Sequence, residues 1–160
     1  MMRALVITAS DRAAAGFYED RSGAFAEAGL KEMGFSVERV VVQDGAPVAG
    51  AILTAVADDY EVVITTGGTG LAPRDLTPEM TRPVLTRELP HLAAAIAQRG
   101  VDASIPTAVL SRGIAGVAGK TLVVNLPGSL GGVRDGIAVL SEVMVHAVHQ
   151  IRGSDDQVHS

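Results

Sequence analysis

The chain has 160 residues, 48% of them hydrophobic and 3% aromatic, with a net charge of -5 and neither Trp nor Cys. That is enough apolar material for one domain with a proper core, and it excludes disulfides, a thiol nucleophile and a cysteine metal site. The acidic balance and scarce aromatics argue against nucleic-acid binding, and no apolar run approaches the ~20 residues of a membrane span, so a soluble cytoplasmic protein without a signal peptide is expected.

Residues 4–10 form a short apolar run ending in polar residues, which predicts a buried first strand with Asp11 and Arg12 at its carboxyl end. Residues 13–20 are small, glycine-containing and polar, and read as a mobile loop. Residues 22–33 have helix-forming composition, with Phe25, Leu30 and Met33 as core contacts and Gly34 as the stop. A second strand is expected over 36–43, where Val37, Val40, Val41 and Val42 cluster before Asp44-Gly45. Val48, Ile52, Leu53 and Val56 recur at helical spacing within 46–59 and return the chain to a third strand, Val62-Val63-Ile64. Alternating strands and helices of this kind imply a parallel sheet with right-handed crossovers, whose ligands sit outside the carboxyl ends of the strands.

The third strand runs straight into Thr65-Thr66-Gly67-Gly68-Thr69-Gly70, followed by Arg74-Asp75 and a helix expected to start near Pro78. Glycines let the backbone turn tightly and aim several N–H groups outward, which makes an anion site, and the threonine hydroxyls and Arg74 add donors. The spacing is that of neither a P-loop nor a dinucleotide fingerprint. Asp75 would repel a phosphate there unless a cation such as Mg2+ lay between them. The structural alternative is an ordinary glycine turn with Asp75 capping the following helix.

Two short helices are expected over 78–86 and 89–99, the second with Leu92, Ala93 and Ile96 on one side. The four histidines show no zinc spacing and receive no role. After a glycine-broken stretch ending at Lys120, residues 121–125 read as another buried strand, ending in Asn125-Leu126-Pro127-Gly128. That tetrapeptide alone reads as a plain turn. The last helix, over about 132–151, carries Ile137, Leu140, Met144, Ala147, Val148 and Ile151 on one face, with Val139 and Val143 outside it. Such a second apolar side suits a subunit contact. Residues 153–160 read as a polar, disordered tail after a single domain over 1–152.

Taken together, Thr65-Thr66-Gly67-Gly68-Thr69-Gly70, Arg74-Asp75-Leu76-Thr77-Pro78-Glu79, Leu110-Ser111-Arg112 and Asn125-Leu126-Pro127-Gly128 resemble the molybdenum cofactor biosynthesis proteins of the Mog and MoaB family, in the family's order and over nearly the whole chain. The resemblance implies a three-layer α/β/α fold with a mostly parallel central sheet, a homotrimer, and a molybdopterin-binding site. The catalytic members are molybdopterin adenylyltransferases that use Mg-ATP and release pyrophosphate, ahead of a partner that inserts molybdate; others bind the pterin or act as scaffolds without turnover. Carried over by motif, Asp44 and Asp75 are the catalytic and Mg2+-holding carboxylates. Thr66, Gly67, Gly68, Thr69, Gly70, Ser111, Arg112, Asn125, Pro127 and Gly128 are the substrate-binding set. The chain departs from the family at the end of this motif: the usual continuation is Pro-Gly-x-Pro with a glutamate early in the final helix, whereas here Ser129-Leu130-Gly131-Gly132 follows Pro127-Gly128, with Leu130 in place of the Pro, and Asp135 is the nearest acid.

Overall fold

A computed structural model describes residues 1–153. Its centre is a six-stranded sheet in the order β2-β1-β3-β6-β5-β4. The strands are β1 (Arg3–Ala9), β2 (Ser36–Val42), β3 (Val62–Thr66), β4 (Arg87–Glu88), β5 (Ala115–Ala118) and β6 (Thr121–Leu126). The first four in that order are parallel; β5 runs antiparallel to β6, and β4 antiparallel to β5. The helices are α1 (Asp11–Ala14), α2 (Arg21–Glu32), α3 (Ala46–Ala57), α4 (Thr77–Thr81), α5 (Pro90–Asp102) and α6 (Leu130–Arg152).

Strand pleat sorts the core into two layers, because successive side chains point to opposite faces. Ala4, Val6, Val62, Ile64, Leu122 and Val124 pack with α2, α5 and α6, whereas Leu5, Ile7, Val63 and Val123 pack with α3. Strands β1, β3 and β6 are covered on both sides, which is why their sequences are continuous apolar runs rather than alternating ones. Strand β2 lies at the edge, and its Val40 and Val41 remain 39% exposed.

Most expected elements are present, with several differences. Ser10 accepts from Ala13 N–H and starts α1, whose end at Ala14 runs into the stretch expected to be loop. The helix expected over 78–86 is one α turn, a 3-10 turn Arg82–Val84, then the two-residue strand β4. The glycine-broken stretch contains β5, whose Ala-Gly-Val-Ala sequence gives almost no strand signal. Leu53, one of the four apolar residues at helical spacing in α3, is 54% exposed, whereas Ala55 is buried. Beyond Gly153, a left-handed cap that closes α6, the expected tail lies outside the described residues. No helix among the described residues is long and apolar enough to cross a membrane.

Register aligns the strand ends: Ala9 pairs with Val42, Thr8 with Thr66, and Thr66 with Leu126. The chain leaves β1 outward to β2 and returns to β1's other side as β3, so the glycine loop emerges at a topological switch point.

Candidate functional site

Two residues fix the path of the loop at this edge. Gly67 (φ +91°) has no room for a β-carbon, which would collide with the backbone carbonyl of Ala9. Gly68 (φ +69°) is blocked the same way by the Thr77 hydroxyl, and Asp44 Oδ1 would lie 3.1 Å from that β-carbon. The turn after β6 closes from the far side: Gly67 N–H donates to Leu126 O at 3.0 Å, and Gly128 lies directly against Gly67. Gly67, Gly68 and Gly128 are therefore parts of one backbone junction.

Arg112 holds the rest of the loop from below. Its backbone N–H donates to Thr69 O at 2.8 Å, its Nε to Gly70 O at 2.8 Å and its Nη2 to Asp75 O at 2.7 Å. Its remaining arm pairs with Glu79 at 2.6 Å, which holds the Glu79 carboxyl below its ordinary range. A planar fork with several donors suits this clamp. Asn125 is equally committed: its Oδ1 accepts from Ile114 N–H at 3.1 Å, and its Nδ2 donates to Thr65 Oγ1 at 2.9 Å and Thr81 Oγ1 at 3.1 Å. Both side chains are committed to partners within the protein. Arg74, read as a further donor for an anion, instead forks onto Asp11 at 3.0 Å and reaches Asp44 O at 3.2 Å.

Asp75 does not cap the following helix, whose N-cap is Leu76 without a side-chain hydrogen bond. Its Oδ2 accepts from Ala72 N–H at 3.0 Å, and its own N–H returns to Ala72 O at 2.9 Å. Asp44 and Asp11 exchange bonds across strand ends, Asp11 N–H to Asp44 Oδ2 at 3.2 Å and Asp44 N–H to Asp11 Oδ1 at 3.1 Å. Arg74 draws the Asp11 carboxyl down. Burial pushes the Asp44 carboxyl up, and the charges of Asp11 and Asp75 add to it.

Two cavities meet at this loop. One, of about 550 Å³, is bounded by α5, the segment after it, the loop and the start of α6; Thr69, Ser111, Asn125, Pro127 and Gly128 are among its walls. The other, of about 480 Å³, is bounded by Thr8, Ser10, Tyr18, Asp20, Asp44 and Thr66. Gly68, Asp75 and Gly128 border both. Of the residues expected to bind substrate, Arg112 alone borders neither.

Sequence alone does not single out Tyr18, Asp20 and Ser22, because residues 13–20 read as loop and Ser22 as the start of a helix. Tyr18 is tied to Ser10 at 2.6 Å. Asp20 caps α2 through Gly23 N–H at 2.9 Å and takes a hydrogen bond from Thr8 at 2.6 Å. An aspartate directly before a helical stretch was the available signal.

Among the described residues no group of three or more His, Cys, Asp or Glu is placed to hold a metal ion. The donor set nevertheless suits Mg2+ arriving with phosphates: the charge of Asp75 adds to the cost of ionising Asp44, and Mg2+ takes one or two carboxylates along with phosphate oxygens and water.

An α/β sheet with two ligand-sized cavities that share residues at its switch point is the architecture of a small-molecule-binding domain. The family described as "Probable molybdopterin binding domain" matches residues 5–146, and the chain belongs to it. The Mog protein of Mycobacterium ulcerans is similar in structure, with 51% identity and a TM-score of 0.91 over 94% of this chain and 99% of that one. The molybdopterin adenylyltransferase of Helicobacter pylori (strain J99) is 36% identical, covering 96% of this chain and 90% of the relative. A molybdenum cofactor biosynthesis bifunctional protein of Chlorobaculum tepidum is 37% identical over 94% of this chain, which spans about half (49%) of its length. The fold is thereby the three-layer α/β/α arrangement expected from the sequence.

Proposed function

We propose that this domain is a molybdopterin adenylyltransferase. The observation that carries the reading is the pair of cavities sharing Gly68, Asp75 and Gly128, because adenylyl transfer must hold two phosphorylated molecules with their phosphates in contact. A terminal phosphate oxygen of molybdopterin attacks the α-phosphorus of ATP; that P–O bond forms as the bond to the bridging oxygen breaks, and pyrophosphate leaves with its electron pair. No protein nucleophile is required.

In this reading the larger cavity takes the pterin and the smaller one the nucleotide phosphates. Gly67 N–H is spent on Leu126 O, so the loop amides left for phosphate are those of Gly68, Thr69 and Gly70, residues that border the larger cavity, and such donors stabilise phosphate charge. Bound Mg2+ would supply charge neutralisation, held by Asp44 and Asp75. Arg112 and Asn125 keep loop and cavity floor in place before substrate arrives. The relative's name, molybdopterin adenylyltransferase, supports the same reaction.

Incubation with molybdopterin and Mg-ATP tests the reading. Pyrophosphate and adenylylated molybdopterin are expected; pterin binding without either product would make the chain a non-catalytic binder. We also propose a cytoplasmic location and a homotrimer; of the two valines expected on a second apolar side of α6, Val139 packs against the core and Val143, 41% exposed, is left for a subunit contact. Light scattering at a monomer mass would overturn the trimer.

A further inference from the structure

Asp135 stands apart from the machinery above. It comes from α6, is half-buried, and borders the larger cavity, where the only other ionisable side chain among the described residues is Asp75 at the loop. Its Oδ2 lies 3.6 Å from where a β-carbon on Gly100 of α5 would sit, so the carboxylate reaches across toward that helix. Among the described residues it makes neither hydrogen bond nor ion pair. The neighbouring wall is apolar and low in relief, built from Ala93, Ile96, Ala97 and Gly100 on α5.

A carboxylate bordering an apolar cavity selects for donors. It repels a phosphate, and it favours a ligand edge carrying two adjacent N–H groups, one for each oxygen. A 2-amino-4-oxopteridine has such an edge, formed by its ring N–H and exocyclic amine, while its plane suits a wall of small residues. A 2,4-dioxopteridine puts a carbonyl in place of the amine, where it would face the carboxylate acceptor to acceptor.

We infer that Asp135 is a specificity-determining residue that reads the amino-substituted pyrimidine edge of the pterin and so sets which end of the ligand points toward the glycine loop. This rests on the assignment of the pterin to the larger cavity. The orientation follows from charge: the same carboxylate that accepts from the ring keeps the phosphate at the opposite, amide-lined end.

The test uses the full chain in two measurements, direct molybdopterin binding and displacement of bound molybdopterin by free pterin or free lumazine. Wild type is expected to be displaced by pterin at roughly tenfold or more lower concentration than by lumazine. Asp135→Asn should bind molybdopterin about tenfold more weakly and lose the preference, while Asp135→Glu should keep it. Because the carboxylate has no protein partner, the Asn variant should unfold at the wild-type temperature, which separates recognition from a structural role. Equal displacement by the two rings in wild type, displacement by neither, or an unchanged preference in Asp135→Asn overturns the inference and leaves the adenylyltransferase reading intact. Failure of wild type to bind molybdopterin at all overturns both.

Discussion

The two cavities that meet at Gly68 are built by opposite means. The smaller draws its groups from the carboxyl ends of parallel strands β1, β2 and β3, which deliver Ser10, Asp44 and Thr66 to one edge. The larger lies beside the antiparallel extension, and one of its walls is built from small and apolar residues of α5 and the segment after it. Parallel strand ends are stacked by register, so they concentrate polar groups; a helix face lying beside the sheet supplies shape. One side thus acts through charge and the other through fit, with the glycine loop as their common boundary.

The largest effect is expected where the two sides join. Asp75→Asn keeps the size of the side chain and an acceptor for Ala72 N–H, so the loop should hold its shape. It removes a negative charge at the phosphate junction, and adenylyl transfer should fall roughly 10²- to 10³-fold, about 2.7 to 4 kcal/mol. Molybdopterin affinity should change little, because the apolar wall of the larger cavity on α5 and the segment after it is untouched. Near-normal turnover at saturating Mg-ATP would assign Asp75 to loop structure alone.

Asn125→Ala attacks the other side. It strips Ile114 N–H of its acceptor and frees the hydroxyls of Thr65 and Thr81 beneath the larger cavity. A buried group left unsatisfied costs about 1 to 3 kcal/mol, so denaturant unfolding should shift by about 2 kcal/mol. Molybdopterin binding should weaken while nucleotide binding stays close to wild type. An unchanged unfolding midpoint would show that the network carries no stability.

Arg112→Lys loosens the boundary itself. Lysine keeps the charge for Glu79 but cannot reproduce the fork onto Gly70 O and Asp75 O. A loss of about 1 kcal/mol in stability is expected, with both substrates bound somewhat more weakly, by thermal unfolding and by KM for each substrate. Weakening confined to one substrate would place Arg112 on that side rather than beneath both.

What could be read from sequence follows the same division. Strands β1, β3 and β6 are legible because burial on two faces demands uninterrupted apolar runs, and the glycines are legible because Gly67 and Gly68 sit at positive φ with no space for side chains. Strand β5 is not, since Ala-Gly-Val-Ala is buried without β-branched alternation, and β4 has only two residues. The aspartates at the strand ends announce themselves by position. Destinations of long side chains do not: Arg112 meets partners 33 to 42 residues away, and Arg74 meets Asp11 across 63. Asp135 was visible as a departure from a family pattern, but its cavity depends on how α5 packs against α6.

The smallest expected effect concerns Asp44, and its sign distinguishes the charged side most directly. Its folded-state pKa is raised, by burial first and then by Asp11 and Asp75, so the fold binds this proton more tightly than the unfolded chain does. Below the ordinary carboxylate value of 3.8 the group is neutral in both states and costs nothing. As pH rises through the raised folded value, the ionised group becomes a net penalty, which persists at neutral pH. Asp11 and Glu79 behave oppositely: their lowered values contribute stability above the unfolded pKa, lost as pH falls through the folded one. Asp44→Asn should therefore raise the unfolding temperature slightly at pH 7 while reducing turnover, and the gain should vanish below about pH 3.8. Asn still accepts from Asp11 N–H, so the cross-strand bond survives the change. Added Mg2+ should stabilise wild type more than the variant, because only wild type has the full charge to relieve. A variant less stable than wild type at pH 7 would mean that the Asp11 hydrogen bond outweighs desolvation and carboxylate repulsion, and that the acidic edge is held for folding rather than for a ligand.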